Sequence, residues 1–438
     1  MVRDYIAVIQ AGGKGTRMKS LTGDRIPKPM LDLNGKPMLQ WQIENIMAYG
    51  IRDFVVITGY LGETIRECFG DGRTLGVRIR YIEEEEPLGS AGALYFLREM
   101  GEQRDFLLVF GDIMFELDWE RMLKFHEQKG GLVTLLVHPN AHPYDSDLLE
   151  LSEDGEITGM DSKENVRNYW YDNCVNAGIY VCKNEILNRF TGICRTDLEK
   201  DVLKPMLGTR KIFGYHTPEY VKDAGTPKRF EAVCREQKEG IWKQKCLKYK
   251  QKCIFLDRDG TINLYKGLIS REEQLVLEDG AAEAVRNINR SGYLAIVVTN
   301  QPVVARGLCS IEDVGNIHKK LHTLLGNEGA YLDAVVFCPH HPDRGYPEEN
   351  PVYKISCSCR KPAIGLIESM TEQFNIDLSQ SWMIGDSTVD IQTGVNAGVS
   401  TVLVLTGVAG KDGKYPVQPD YVVENLKQAV DLIMDYQK

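Results

Sequence analysis

Short apolar runs recur along the whole chain and alternate with amphipathic stretches. In the first half they are Tyr5 to Ile9, Phe54 to Thr58, Phe106 to Phe110 and Val133 to Val137. Strand-length apolar runs separated by helical patterns predict an α/β architecture with a largely parallel sheet. The pattern breaks at 238–251, where a basic, aperiodic stretch predicts a linker. Strands then restart at Cys253 to Leu256, Leu294 to Thr299, Ala334 to Phe337, Trp382 to Ile384 and Thr401 to Leu405. The expectation is two doubly wound domains, 1–237 and 252–438, that are not copies of each other.

Length agrees, because 438 residues exceed what one core usually organises. The net charge of −10, with no long Lys/Arg run to offset it, argues against a nucleic-acid partner. An anionic substrate would therefore need local cations. No apolar stretch approaches the ~20 residues that span a bilayer, and Met1 to Tyr5 lacks the basic-then-apolar start of a signal peptide. A cytoplasmic protein with no membrane partner is expected. Eleven Cys in so long a chain suit reduced thiols better than a disulfide framework.

The first run leads straight into Gln10 to Met18, a glycine-rich loop. Gly12, Gly13 and Gly15 would let backbone N–H groups converge on phosphate oxygens, with Lys14 and Arg17 adding positive charge. Further on, Pro27 and Pro29 stiffen the backbone around Lys28. These two features, followed in order by Glu86 to Gly92, Phe110-Gly111-Asp112, Asn176-Ala177-Gly178 and Lys222 to Pro227, resemble the sugar-1-phosphate nucleotidylyltransferases over roughly residues 5 to 235. The resemblance implies a Rossmann-like nucleotidyltransferase domain. In it Asp112 and Asp223 would hold Mg²⁺, and Arg17 and Lys28 would contact the phosphates as the catalytic cations. Gly12, Gly13, Gly15, Thr16, Glu84 and Gly89 would bind the nucleotide, Lys163 would approach the sugar phosphate, and Asn176 and Gly178 would line the sugar pocket. Attack of a sugar phosphate on a nucleoside triphosphate needs no protein nucleophile, only positioning and charge neutralisation. The acidic run Glu83 to Glu86 lies where the family contacts the base, and a carboxylate accepting from guanine's N–H and amino donors favours GTP.

In the second half, Cys253 to Leu256 delivers Asp257 and Asp259 onto a turn at Gly260 and Thr261. Side chains alternate along a strand, so both carboxylates point the same way. One can attack phosphorus while the other gives a proton to the leaving group, around a position suited to Mg²⁺. Thr299, Arg360-Lys361 and Asp386 follow at further strand ends or turns. This ordered set resembles the haloacid dehalogenase superfamily of aspartate-nucleophile phosphatases over residues 252 to 438. By that resemblance Asp257 is the nucleophile, Asp259 the general acid and base, and Thr299 and Lys361 bind the transferred phosphoryl. Asp386 joins Asp257 and Asp259 around Mg²⁺, Asp390 supports Lys361, and Asn300, Arg306 and Arg360 meet substrate.

Cys338, Cys357 and Cys359 with His340 or His341 can close a tetrahedral Cys₃His zinc site of the structural kind. Spacing leaves the histidine open, and likeness to the heptose bisphosphate phosphatases and the related histidinol phosphate phosphatases favours His340. Two departures from the family pattern stand out. Gln301 to Gly307 differs from the usual Ser-Gly-Ile-Ala-Arg-Gly ending, and the stretch from Thr261 to Gly280 is too short for a large cap.

Jointly, the resemblances imply a bifunctional enzyme of nucleotide-activated heptose synthesis for surface polysaccharide or glycoprotein. It would remove the C7 phosphate of D-glycero-D-manno-heptose 1,7-bisphosphate and then transfer a nucleotidyl group to heptose 1-phosphate. Its partners would be a nucleoside triphosphate and phosphorylated sugars, and a homo-oligomer is compatible with this reading. The alternatives are a mannose- or glucose-1-phosphate transferase fused to a histidinol phosphate phosphatase, or one half serving as a non-catalytic binding module.

Overall fold

A computed structural model describes residues 5–13, 15–23, 25–345 and 348–436. Two compact units emerge. The first comprises the described residues through 138 together with 149–161 and 176–246. The second comprises 139–148, 162–175 and the described residues from 247 onward. Among the described residues no helix is long and apolar enough to cross a membrane.

The first unit is built on a nine-stranded sheet. At its centre, Ile6–Gln10 lies parallel between Asp53–Thr58 and Phe106–Phe110. Ala7 and Ile9 face a core shared with Phe54, Val56, Leu107 and Val109, all buried. The sheet is mixed rather than parallel throughout, because Val175–Cys182 runs antiparallel to Phe106–Phe110. A second ribbon pairs Ile113–Glu116 with Tyr220–Asp223 and sets Asp223 opposite Ile113, one residue past Asp112. The stretch 238–251 is not an open tether. Ile241–Gln244 is helical, and Trp242 is buried against Trp41 and Tyr220, at ring-centroid distances of 5.6 and 5.1 Å.

The second unit carries a six-stranded sheet in the order Ala334–Cys338, Tyr293–Asn300, Lys252–Leu256, Trp382–Gly385, Ser400–Val404, Tyr421–Val423. Every neighbouring pair is parallel. Alternation along Lys252–Leu256 feeds two cores. Ile254 and Leu256 pack with Val297, Ile384 and Val402 on the face covered by Ile311–Asn327, whereas Cys253 and Phe255 pack with Ile296, Val298 and Met383 on the face covered by Gly365–Phe374. Such a sheet buries both faces and leaves its strand ends as the place where polar side chains gather.

Candidate active sites

At the end of Ile6–Gln10 the chain turns through the glycine loop; Lys14 lies outside the described residues. Gly12 leaves no room for a side chain, since a Cβ there would stand 2.6 Å from Glu84 Oε2. Glu84 is the buried member of the acidic run: Glu83 pairs with Arg66 at the surface, and Glu85 and Glu86 are exposed. Burial pushes its carboxyl above the ordinary range, against hydrogen bonds from the Leu88 backbone and Gln10, and its Oε1 has no partner among the described residues. A buried acceptor left unsatisfied in this way calls for a partner.

Lys28 is buried under Gly15, its Nζ 2.7 Å from Asp112 Oδ2. Asp223 pairs with Arg229 at 2.6 Å, and the Arg17 guanidinium comes to the same corner, beside Gly225. Ala224 N donates to Asp112 O at 2.9 Å, so the two aspartates sit on adjoining strand ends. Asn176 donates to Glu199 Oε1 at 2.6 Å and to the Tyr180 hydroxyl at 2.9 Å, while its Oδ1 accepts from Gly178 N at 3.2 Å. Lys163 falls in the second unit, where its half-exposed ammonium pairs with Asp147 at 3.3 Å.

In the second unit Asp257 continues the ladder, its N–H donating to Ile384 O at 2.9 Å. Lys361, almost fully buried, lies 2.8 Å from Asp257 Oδ1 and 2.5 Å from Asp390 Oδ1. Asp390 is held by its helix: with Ser387 it forms the reciprocal cap of Thr388–Ala397, leaving the other oxygen for Lys361. The side-chain amide of Asn300 is engaged by Lys361 in both directions, donating to its carbonyl at 3.1 Å and accepting from its N–H at 3.0 Å. Asp386 Oδ2 accepts from Val408 N at 2.7 Å between two glycines that admit no Cβ, Gly260 and Gly407.

The carboxylates of Asp257, Asp386 and Asp390 have oxygens within 4.8 Å of one another. Burial, then Asp390, pushes Asp257 up to about 6; burial, then Asp257 and Asp390, pushes Asp386 up to about 8. For Lys361 burial works toward loss of the proton, but Asp257 and Asp390 outweigh it and raise its pKa. Three crowded carboxylates against one ammonium are a donor set suited to a hard divalent cation. The carboxylate of Asp259 is otherwise occupied, accepting from Arg258, Asn263 and Gln301. Thr299, buried, accepts from the same Gln301 at 3.1 Å.

Cys338, His340, Cys357 and Cys359 converge, with Sγ–Sγ distances of 3.2 to 3.6 Å and His340 Nδ1 3.3 Å from Cys359 Sγ. The edge of a tetrahedral zinc–thiolate site is roughly 3.8 Å, so the four groups could hold such an ion with little movement. His341 turns elsewhere, its Nδ1 accepting from Asp343 N at 3.1 Å. The Arg360 guanidinium donates to His340 O at 3.0 Å. Burial lowers the Arg360 pKa against the opposing pull of Cys338, Cys357 and Asp343, and the charge of Arg306 lowers it further.

Residues 6–239 match the nucleotidyl transferase family and residues 358–429 the HAD-hydrolase-like family. A D-glycero-D-manno-heptose-1,7-bisphosphate 7-phosphatase of Thermosynechococcus vestitus is 41% identical over 187 residues, 41% of this chain and 94% of that protein. The chain belongs to the nucleotidyl transferase family and, in its second half, to that of these phosphatases. A D-glycero-alpha-D-manno-heptose-1,7-bisphosphate 7-phosphatase of Burkholderia mallei is 39% identical over 156 residues, 36% of this chain and 80% of the relative. Among solved structures, HddC from Yersinia pseudotuberculosis complexed with GMP-PN is 25% identical, covering 53% of this chain and 99% of that one at a TM-score of 0.46. By the family match and the phosphatase relatives, the chain is a nucleotidyltransferase fused to a heptose-bisphosphate-phosphatase-like domain.

Sequence reasoning gave no role to several residues that touch the candidate site residues: Glu199 and Arg229 in the first half, Arg258, Asn263 and Gln301 in the second. Arg258 and Asn263 flank the aspartate turn and carried a local signal. Glu199 carried none, because its contact with Asn176 is made only by folding.

Proposed function

We propose that the chain catalyses two consecutive steps on one sugar: hydrolysis of the C7 phosphate of D-glycero-D-manno-heptose 1,7-bisphosphate, then nucleotidyl transfer to the resulting heptose 1-phosphate. The observation that carries this reading is the fusion itself. A heptose-bisphosphate-phosphatase-like half shares a chain with a nucleotidyl transferase half, and the phosphate the first must spare is the one the second needs. The junction between the two catalytic domains is proposed within 238–251.

In the hydrolytic step an Asp257 oxygen attacks phosphorus and the bond to the sugar oxygen breaks. Asp259 gives that oxygen its proton, then takes one from the water that cleaves the aspartyl phosphate. Lys361 and Thr299 hold the phosphoryl oxygens, and Asp257 with Asp386 would hold Mg²⁺, whose chemistry is neutralisation of the transferring group. Arg306 and Arg360 suit the phosphate that stays. Zinc in the Cys338–His340–Cys357–Cys359 cluster would pin the loop that carries Arg360. In the transfer step Arg17 and Lys28 neutralise phosphates, Asp112 and Asp223 would hold Mg²⁺, and Asn176 and Gly178 receive the sugar.

GTP is the preferred nucleotide on this reading, and Glu84 supports it. A buried carboxylate with an unpartnered oxygen can accept from both guanine donors. The work of the enzyme is cytoplasmic, feeding surface polysaccharide. The test is a screen of heptose bisphosphate and sugar 1-phosphates against four nucleoside triphosphates, following phosphate and pyrophosphate release. Glu84→Gln should cost about 10-fold or more in kcat/KM for GTP and narrow its lead over the others, as expected for one buried charged hydrogen bond. Equal use of all four by the parent enzyme would remove the GTP assignment.

A further inference from the structure

Beyond the residues that meet substrate, one buried chain of contacts leads away from Asp259. Arg258 shares the strand parity of Ile254 and Leu256, so it points to the face covered by Ile311–Asn327. Its side chain is wholly buried. Nε lies 3.2 Å from Asp259 Oδ1, and one terminal nitrogen lies 2.9 and 2.8 Å from Oδ1 and Oδ2 and 3.0 Å from Gln301 Oε1. The other terminal nitrogen lies 3.2 Å from His318 Nε2. A guanidinium has donors only, so Nε2 is the acceptor and the imidazole proton sits on Nδ1. The ring is buried and packs edge-on against Phe337 at 5.3 Å, which fixes the direction in which Nε2 faces.

We propose that His318 is a positioning residue for the phosphatase step: it anchors the Arg258 guanidinium, which with Gln301 and Asn263 orients the Asp259 carboxylate for proton transfer to the departing sugar oxygen. The inference rests on the reading of Asp259 as general acid and base. A neutral acceptor suits the position. A carboxylate at 318 would compete with Asp259 for Arg258, and an apolar side chain would leave a buried N–H bare and free the guanidinium to turn. Asp259 reaches its geometry through His318, 60 positions from Arg258 on the helix Ile311–Asn327, and Gln301, 42 positions from Asp259 just past the strand Tyr293–Asn300.

The test uses leaving groups in the full chain. A sugar oxygen departs poorly without a proton, whereas the phenol of p-nitrophenyl phosphate needs none, and kcat/KM reports only steps through the first irreversible bond cleavage. His318→Leu should lower kcat/KM for the heptose bisphosphate about 10- to 100-fold, a fraction of a full general-acid contribution, with p-nitrophenyl phosphate changed less than about 3-fold. His318→Gln, which keeps an acceptor, should restore most of the loss. Retained p-nitrophenyl phosphate hydrolysis and an unchanged thermal melt of the phosphatase unit in the same preparation report folding. A parallel fall on both substrates, no fall on either, or no rescue by Gln would overturn the proposal. Asp259→Asn separates the underlying reading: if it too shows no leaving-group dependence, the acid and base assignment fails rather than the link to His318.

Discussion

Asp257 and Asp386 are the residues on which acid–base behaviour turns. Both carboxyls have folded values above the ordinary 3.8, up to about 6 and about 8. At these two groups the folded protein therefore holds protons that the unfolded chain gives up, and without a cation their contribution to stability falls as pH rises from about 4 through about 8. Mg²⁺ would replace those protons. Its stabilising effect should thus be larger at about pH 8 than at about pH 5, where protons already quiet the cluster. Thermal melts with and without Mg²⁺ at the two pH values check this, and equal shifts in Tm would count against the carboxylate cluster as the cation site.

Among elements, the Cys338 to Cys359 loop carries the four Cys and His side chains that could hold a metal ion. It leaves the last strand position at Cys338 and returns at Cys359, and among its described residues the regular structure is one short turn of helix, Pro351–Tyr353. Removing a structural ion from such a loop removes much of what orders it. A strong chelator, or Cys359→Ser, should lower the phosphatase unit's Tm by several degrees and depress hydrolysis while leaving nucleotidyl transfer near its starting level. Metal analysis should return about one zinc per chain. A metal-free protein with an unchanged melt would refute a structural ion.

What the sequence made legible at this scale follows from element type. Asp257, Thr299 and Asp386 were readable because each ends a short, wholly apolar run and the parallel order brings those ends together. Asp390 was readable because it falls one helical turn on. The antiparallel strands of the first unit were not, since Leu148–Leu151 is brief and Val175–Cys182 contains Asn176-Ala177-Gly178, which drew attention as a motif rather than as a strand. Nor was the pairing of Arg258 with His318, which no local spacing encodes.

For the whole molecule, the two sets of chemistry belong to separate compact units, so each should be silenced alone. Asp257→Asn should abolish bisphosphate hydrolysis, by about 100-fold or more, while transfer to supplied heptose 1-phosphate persists. Asp112→Ala should do the converse. Mixing the two variants should restore conversion of bisphosphate to nucleotide sugar if the intermediate is free to diffuse, which product analysis by NMR would follow together with the anomer. Loss of both activities from either single variant would contradict independent sites. The segments 139–148 and 162–175 show what a boundary drawn along the sequence misses: they lie in the first half by position yet cluster with the second unit, and Lys163 goes with them.

Trp242 sets a practical limit on dissecting this enzyme. Its indole closes a core made with Met18, Leu33, Met38 and Phe230. A transferase half ended at residue 237 would expose that core and invite aggregation, whereas one carried to Cys246 would keep its own plug but bare the segments 139–148 and 162–175, which cluster with the second unit.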